Sequence, residues 1–471
     1  MEELLEGKEA GSSNSRNWDE AFHLFANVIA SENDATKIQA TIRLAKMSRY
    51  APENILALTV PILLELLESP PTDLSPLVQE ASAYSLKCIA SQGEGRLANL
   101  IGQMGAVPLL LRLLPNSEEG SQRALLKCLR NVVTFWGQNR MILVSNGGLE
   151  IVLTMLSSCS GHSKLILLEI LSVLALIREV RKVLWRSRKV HHLVEAARCG
   201  SVVSRTRAAQ AIGLLGLIKR ARRTLVNAGA LQVLMQLLKE GDPTMKLVAG
   251  NALGVISSHV DHIRPVAQAG AIPLYAELLK SSDPVGKEIA EDVFCVLAVD
   301  EENAVTIVEH LVGILRGDDV GAKAAAADVI WDLSSYKYSL PILQNSGAIP
   351  ILVELLKDEN IDVKEKVAGA VAQLSLNEAN RTVLANSGVI PLLINMLEDD
   401  SDELRDNAAE ALVNFSLDPL LGDQTSCILE NPSFQNMRNR LMQMHASDEH
   451  LDLSITRQIS TEQLTWDPGF Y

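Results

Sequence analysis

Two histidine pairs have the spacing that metal ligands can have. His191 and His192 are followed by Glu195, and His259 and His262 lie one helical turn apart. Neither pair has a third ligand beside it, and both lie inside a repeated pattern, so we interpret them as ordinary surface histidines. The sequence therefore predicts no metal site and no cofactor.

Other patterns that would support catalysis are missing. Gly286-Lys287 is followed by glutamate, unlike a loop that cradles phosphate. The acidic run 399–403 lacks the glycine and the spacing of a calcium loop, and no Gly-x-Ser-x-Gly sequence is present. The six cysteines are scattered without a Cys-x-x-Cys pair, which is typical of reduced thiols in an intracellular protein. We expect a non-enzymatic protein of the cytoplasm, the nucleus or both, with no catalytic residues.

Composition favours helices over sheets. Hydrophobic residues make up 47% of the chain but aromatic residues only 4%, so a core must be built from Leu, Ile, Val and Ala. The longest apolar stretch, residues 165–177, already contains Glu169 and is too short to cross a bilayer. We expect no membrane span.

Charge is distributed unevenly along the chain. The formal net charge is −14, yet residues 178–223 hold 13 Lys and Arg against two Glu. This basic island is either a solvated face or a docking patch for an anionic ligand such as acidic peptide, phosphate, anionic lipid or nucleic acid. The residues that we assign to such a patch are Arg205, Arg207, Lys219, Arg220, Arg222 and Arg223.

A block of about 41 residues returns along the chain. Gly229 and Gly270 begin similar segments 41 residues apart, and so do Gly347 and Gly388. A fixed period in the range of about 20–50 residues predicts a solenoid, in which each unit buries its apolar face only against its neighbours.

One copy of the block predicts three helices. Gly347 would end a short helix, because glycine adopts the left-handed conformation without penalty, and Pro350 falls in the first turn of the next helix. We predict that Asp362 caps a third helix, as Asp242 and Asp283 would cap the corresponding helices before a proline. The third helix has an apolar stripe at Val367, Ala370, Val371 and Leu374.

Three helices in about 41 residues, with Gly-Ala-Ile-Pro openings and the third-helix segments 368–375 and 409–416, resemble the armadillo repeat family. Because repeat-like sequence begins near Asn33, the chain resembles the plant-type armadillo-only proteins that lack a U-box. The resemblance implies an all-α fold, a right-handed α-solenoid of about nine to ten armadillo repeats with three helices each.

Aligning the third helices on their central position gives a column of residues. Its successive spacings are 45, 43, 42, 41, 41, 41, 36, 41 and 41, so one unit has lost part of its connection around residues 300–304. The column residues are Arg43, Cys88, Asn131, Val173, Leu214, Val255, Val296, Asp332, Gln373 and Asn414.

These spacings lead to a predicted domain organisation. We expect a disordered N-terminus over residues 1–16, a capping helix over 17–33, the solenoid over 34–418, a C-terminal capping segment over 419–444 and a flexible tail over 445–471. The alternative for the tail is that Trp466, Phe470 and Tyr471 fold back or bind a partner.

The resemblance implies that third helices line a concave groove. The family's nuclear-import receptors place asparagine in the column and tryptophan one turn earlier; here only Asn131 and Asn414 remain in the column, and no tryptophan array is present. The apolar middle of the column either packs between helices or forms a hydrophobic trough. The residues that we predict to bind a partner are Asn131, Asp332, Gln373, Asn414, Lys127, Glu169, Asn251, Asp292, Asp328 and Glu410.

The function expected from the sequence is a scaffold or adaptor that holds a segment of another protein in the groove. The alternatives are docking of the basic island to anionic lipid or nucleic acid, and a role as a cargo receptor or as an adaptor of a ubiquitin ligase.

Overall fold

The computed structural model describes residues 17–31, 33–69, 75–336, 339–438 and 459–465, and this part of the chain is helical without a strand. The α-helices are, in chain order, α1 Trp18–Ile29, α2 Asp34–Met47, α3 Glu53–Glu68, α4 Pro76–Ala90, α5 Arg96–Gln103, α6 Ala106–Leu113, α7 Glu119–Phe135, α8 Gly137–Ser145, α9 Gly148–Ser158, α10 Gly161–Leu174, α11 Arg178–Arg186, α12 Val190–Cys199, α13 Val202–Gly216, α14 Lys219–Asn227, α15 Ala230–Glu240, α16 Pro243–Ser257, α17 Val260–Gln268, α18 Ala271–Leu279, α19 Pro284–Leu297, α20 Glu301–Leu315, α21 Val320–Leu333, α22 Ser339–Asn345, α23 Ala348–Leu355, α24 Ile361–Ser375, α25 Glu378–Asn386, α26 Val389–Met396, α27 Asp402–Ser416 and α28 Gly422–Leu429.

The helices form two compact units. Of the described residues, unit 1 contains those within 17–186 and 198–208, and unit 2 contains those within 187–197 and 209–465. Short 3-10 turns occur at Gly93–Gly95, Leu114–Asn116, Pro419–Leu421 and Glu462–Leu464, and residues 432–438 are also helical.

Each repeat ends in a long third helix, and third helices pack on one another. In unit 1, α4 packs against α2 and α7; in unit 2, α24 packs against α21 and α27. All ten column residues fall on these helices, namely α2, α4, α7, α10, α13, α16, α19, α21, α24 and α27. The stripe Val367, Ala370, Val371 and Leu374 is fully buried. The predicted all-α armadillo solenoid is confirmed.

A glycine with positive φ joins the first and second helices of most repeats. Gly229, Gly270, Gly347 and Gly388 have φ of 86°, 92°, 77° and 78°, a region that side chains with a Cβ avoid. The connection between α11 and α12 has no glycine, and Arg188 takes the left-handed conformation there with φ of 58°. The backbone is therefore strained at Arg188.

The shortened repeat has a simple structural cause. Between α19 and α21, the usual short helix and second helix are fused into the single helix α20, which begins after the N-cap Asp300. Because no left-handed glycine interrupts α20, the connection needs fewer residues. The spacing of 36 residues thus results from the loss of the junction between the short helix and the second helix in this repeat.

The caps of the third helices agree with the sequence at two positions and differ at a third. The Asp242 and Asp283 carboxylates accept hydrogen bonds from the Met245 and Val285 N–H groups, at 2.8 and 2.9 Å. The prediction for Asp362 is wrong, because α24 begins at Ile361, two residues before the start that a cap at Asp362 would give. Asn360 caps α24 by accepting from the Val363 N–H at 3.1 Å.

Helices at the two ends of the repeats cover exposed apolar faces. In unit 1, α1 packs on α2 and α3 and buries Phe25 and Ile29. In unit 2, α28 packs on α26 and α27, and Phe434 is fully buried. The domain boundaries expected from the sequence remain predictions, and Trp466, Phe470 and Tyr471 lie outside the described residues.

Within the described ranges, no single helix has the length and apolar character needed to cross a membrane. Two bent helix pairs meet the criteria of length and composition alone, Gly93–Gln103 with Ala106–Asn116 and Gly137–Ser145 with Gly148–Ser158.

Candidate functional site

In unit 2, a segment from the C-terminal tail lies across the third helices α13 and α16. This segment, residues 459–465, contains the 3-10 turn Glu462–Leu464. The sequence predicts a flexible tail over 445–471, but these seven residues are packed against the repeats. Their contacts define what we call the tail groove, which is formed by Gln210, Gly213, Asn251, Gly254 and Val255.

Two amide side chains of the tail groove hold the segment by its main chain. The Asn251 Nδ2 donates to the Ser460 carbonyl at 2.8 Å, and the Gln210 Nε2 donates to the Gln463 carbonyl at 3.3 Å. Gln210 and Asn251 lie 41 residues apart, one turn before the column in successive repeats. Both residues are fully buried. The repeat thus presents the same kind of donor twice at the spacing of one repeat.

Two glycines make room for apolar side chains of the segment. A Cβ on Gly213 would lie 2.8 Å from both terminal methyl carbons of Leu464 and 3.0 Å from Cβ of Ala252. One on Gly254 would lie 2.6 Å from Cγ2 of Val293 and 2.9 Å from Cδ1 of Ile459. Leu464 is only 1% exposed. Since methyl contacts under about 3.4 Å are repulsive, a larger residue at either glycine would crowd both the tail and the neighbouring third helix.

An open cleft continues from Ile459 towards α19. It has a volume of about 390 Å³ and is lined by Val255, Cys295, Val296 and Tyr336 among others. Leu217, Val260 and Val299 at its rim are exposed. Burial, together with Cys295 and Asp332, raises the pKa of the Tyr336 hydroxyl, which stays neutral. Of the apolar column residues, Val173 and Val255 are buried between helices, and Leu214 and Val296 are half-buried.

A second cleft, of about 420 Å³, lies between α18 and α20. Its lining combines apolar residues such as Ala276 and Ile314 with the charged or polar side chains of Glu277, Lys280, Glu309, His310 and Asp319. The chain places no described segment of its own across this cleft, in contrast to the tail groove.

The column asparagines of the sequence analysis make bonds within their own units. In unit 1, Asn131 donates to the Lys87 carbonyl at 3.0 Å and accepts from Arg130, which also pairs with Glu169 at 2.8 Å. In unit 2, the Asn414 Nδ2 donates to the Ser375 hydroxyl at 2.9 Å. Both column asparagines thus stabilise contacts between neighbouring helices.

The other residues that we predict to bind a partner are distributed over the two units. Lys127 and Glu169 lie on unit 1, half-buried, and Gln373 and Glu410 are half-buried on unit 2. Of the predicted partner-binding set, Asn251 donates a hydrogen bond to the described tail segment. Gln210, Gly213 and Gly254 are site residues that the predicted set misses, and the two glycines inside third helices are a sequence signal that could have pointed to them.

Carboxylates on unit 2 are engaged by neighbouring side chains. Asp328 and Glu403 lie 3.5 and 3.9 Å from the Lys366 Nζ, which also lies over the Trp331 ring at 5.8 Å. Burial lowers the pKa of Lys366, but the two carboxylates outweigh burial and raise it overall. Asp332 accepts from the Cys295 thiol at 3.4 Å, and Asp292 is buried. These groups form local networks and not one open acidic surface.

Part of the basic island has a structural role. In several repeats an arginine of the short helix donates to carbonyls at the end of the preceding third helix. These arginines are Arg140 with Val133 and Thr134, Arg181 with Ala175 and Leu176, Arg222 with Gly216, and Arg381 with Ser375 and Leu376. Burial lowers the pKa of Arg181 and Arg222. These side chains satisfy helix carbonyls that would otherwise lack donors.

Fewer residues are therefore exposed in the basic patch than the sequence assigns to it. Arg207 and Arg222 are buried and Arg205 is half-buried. Lys219, Arg220 and Arg223 are exposed on α14 of unit 2. No group of three or more His, Cys, Asp or Glu side chains that could hold a metal occurs in the described ranges.

Comparison with known proteins gives the repeat type. Residues 219–258 match the model of the armadillo/β-catenin-like repeat, and residues 308–413 match a model of HEAT repeats. No curated protein sequence matches the chain.

Two solved structures share the fold over most of the chain. An engineered protein from the Northeast Structural Genomics Consortium is 23% identical, with a TM-score of 0.64 over 84% of this chain and 98% of its own. A structure reported for the interaction between cadherin and β-catenin is 15% identical, with a TM-score of 0.62 over 91% of this chain and 88% of the other. With the third-helix ladder and the glycine corners, these matches show that the chain has an armadillo-type repeat fold.

Proposed function

We propose that this protein is a non-enzymatic binding scaffold, and that the tail groove of unit 2 holds an extended segment of a partner protein. The observation that carries this proposal is the pair of hydrogen bonds from Asn251 and Gln210 to main-chain carbonyls of residues 459–465. The groove already accommodates a polypeptide backbone at the spacing of the repeats.

Different groups of the tail groove provide affinity for the peptide backbone and selectivity for its side chains. Amide donors bind carbonyl groups that every peptide has, so they fix the path of the backbone without reading its sequence. The spaces above Gly213 and Gly254 accept aliphatic side chains, and burying each one contributes about 1.5–3 kcal/mol. A partner segment would thus be extended, with aliphatic residues at those two places.

The likeness to the structure reported for cadherin and β-catenin supports a protein partner, since that armadillo fold serves an interaction between proteins. The exposed apolar side chains Leu217, Val260 and Val299 beside the cleft add a surface that a longer segment would cover.

Peptide display against the full-length chain carrying Leu464→Asp, which takes the Leu464 side chain out of the tail groove, tests the proposal. We expect selected peptides to bind at least tenfold more weakly when Asn251→Ala is added to this chain, because a buried donor to the peptide backbone is lost. The matched control is the addition of Asn227→Ala, at an exposed asparagine at the end of α14 in the same unit. Selected peptides that bind with equal affinity with and without Asn251→Ala would contradict a binding site in the tail groove.

A second candidate is binding of an anionic surface by α14. The exposed side chains of Lys219, Arg220 and Arg223 favour it, and phosphate contacts would make the affinity fall steeply with salt. Binding of the chain to vesicles of phosphatidylserine should then weaken from 50 to 200 mM salt and in Lys219→Ala. Salt-independent binding, or none, contradicts this second function.

A further inference from the structure

Residues 459–465 lie in the tail groove in the manner of a bound ligand. We propose that they occupy the peptide site in cis, and that a partner must displace them with an extended segment carrying two aliphatic side chains five residues apart. This inference rests on the proposed function, and it adds both the sequence preference of the site and its control by the chain itself.

The direction of the segment follows from its contacts. Its first described residue, Ile459, lies at Gly254 of α16 and lines the cleft with Cys295 of α19. Its later residues reach the preceding repeat, where Leu464 lies above Gly213 of α13. The segment therefore runs opposite to the order of the repeats, and one repeat of the groove corresponds to five residues of the ligand.

The preference for two aliphatic residues follows from which repeats carry glycine. Gly213 and Gly254 both occupy the position just before the column, 41 residues apart. In the later repeats of unit 2 the same position holds larger side chains, Cys295, Trp331, Ala372 and Val413. Among these described third helices of unit 2, α13 and α16 carry glycine at this position, and Leu464 and Ile459 lie beside those two glycines.

The bonding of Asn251 explains how another segment can compete with the tail. Its Nδ2 binds the Ser460 carbonyl, but its Oδ1 is buried without a hydrogen-bond partner in the described part of the chain. A side-chain amide can bind both the C=O and the N–H of a peptide. A partner that offers an N–H group to Oδ1 would satisfy a group that the tail leaves unsatisfied.

Tethering gives the tail its advantage. A segment on the same chain competes at an effective concentration of about millimolar, so a free segment of equal intrinsic affinity binds poorly while the tail is docked.

The side chains of Glu462 and Thr465 are exposed in the segment and do not contribute to docking. A charge at Leu464 should therefore open the groove, whereas the same charge at Thr465 should not.

The test compares three full-length chains, namely the unchanged protein, Leu464→Asp and the control Thr465→Asp. The probe is a fluorescein-labelled peptide with the sequence of residues 457–467, and its affinity is measured by fluorescence anisotropy. We expect binding to Leu464→Asp at least tenfold tighter than to the other two chains. Circular dichroism should show equal helix content in all three, because Leu464 belongs to the tail and not to a repeat.

A second peptide series tests the sequence preference. Replacing the residue equivalent to Ile459 or Leu464 by aspartate should abolish binding to Leu464→Asp, and replacing the one equivalent to Thr465 by alanine should not change it. Equal affinity of the unmodified probe for all three chains would overturn occupation in cis while leaving the proposed function in place. Absence of binding to Leu464→Asp would overturn the inference too, and the display experiment with Asn251→Ala then decides the proposed function separately.

Discussion

Asn131 in unit 1 and Asn251 in unit 2 are both buried asparagines on third helices. Their side-chain amides, however, bind different partners, the neighbouring repeat in one case and the tail in the other. Asn131 lies in the column and bonds with Lys87 and Arg130 of its own unit. Asn251 lies one turn before the column and bonds with the main chain of the tail. The side chain type is the same, so the neighbouring residues decide whether it supports the fold or a ligand. Beside Asn251 stands Gly254, which leaves space for a ligand side chain.

The largest expected effect is on stability, at Asn131. Asn131→Ala should lower the free energy of unfolding by about 2–3 kcal/mol, because the partly buried Lys87 carbonyl loses a donor and Arg130, which pairs with Glu169, loses an acceptor. Asn251→Ala should cost less than about 1 kcal/mol, since it removes a tail contact together with an unsatisfied oxygen. Urea unfolding followed by circular dichroism measures both. Equal losses would remove the distinction between the two asparagines.

The capping arginines should behave alike in both units. Arg140→Ala in unit 1 and Arg222→Ala in unit 2 should each lower the free energy of unfolding by about 1.5 kcal/mol, because each leaves buried helix carbonyls without a donor. Lys219→Ala, an exposed change on the same helix as Arg222, is the control and should be nearly neutral. The losses should persist in 0.5 M NaCl, and a loss that vanishes with salt would point to surface electrostatics instead.

Two glycines inside helices, Gly120 in unit 1 and Gly213 in unit 2, should respond differently to substitution by alanine. Gly120 in α7 has room for a Cβ, which would lie 3.7 Å from Glu80 Oε2, so Gly120→Ala should stabilise unit 1 by about 0.5–1 kcal/mol. Gly213→Ala places a methyl 2.8 Å from Leu464 and should release the tail. Hydrogen exchange should then show at least tenfold less protection of the amides of residues 459–465. Unchanged protection in Gly213→Ala would show that the glycine is not required for docking.

Much of the fold could be predicted from the sequence because it depends on local and periodic features. The ten column residues all lie on third helices, and the short step marks the fused helix α20. Asp362 shows the limit of such reasoning. Asn360 and Asp362 both have capping side chains, and the choice depends on where α24 begins, which packing decides.

The site could not be predicted in the same way, because its contacts join distant parts of the chain. The bond from Asn251 to Ser460 spans 209 residues, and the one from Gln210 to Gln463 spans 253. Periodicity identifies the helix face but not which repeats face a ligand. The recurrence of Gly213 and Gly254 at equivalent places is the sequence signal that narrows the choice, since glycine inside a helix carries a cost that needs a reason.

The smallest effect is expected at the corner between α11 and α12. Arg188 has a φ of 58° there, where the corners of other repeats use glycine, as at Gly270 with a φ of 92°. Arg188→Gly should raise the free energy of unfolding by about 0.5–1 kcal/mol, because relief of left-handed strain outweighs the greater freedom of glycine in the unfolded chain. Gly270→Ala is the reciprocal change and should lower it by about 1–2 kcal/mol. Thermal unfolding of the two variants measures whether each change raises or lowers the free energy of unfolding. If Arg188→Gly destabilises the protein, then the side chain of Arg188 contributes more to unit 2 than its backbone strain costs.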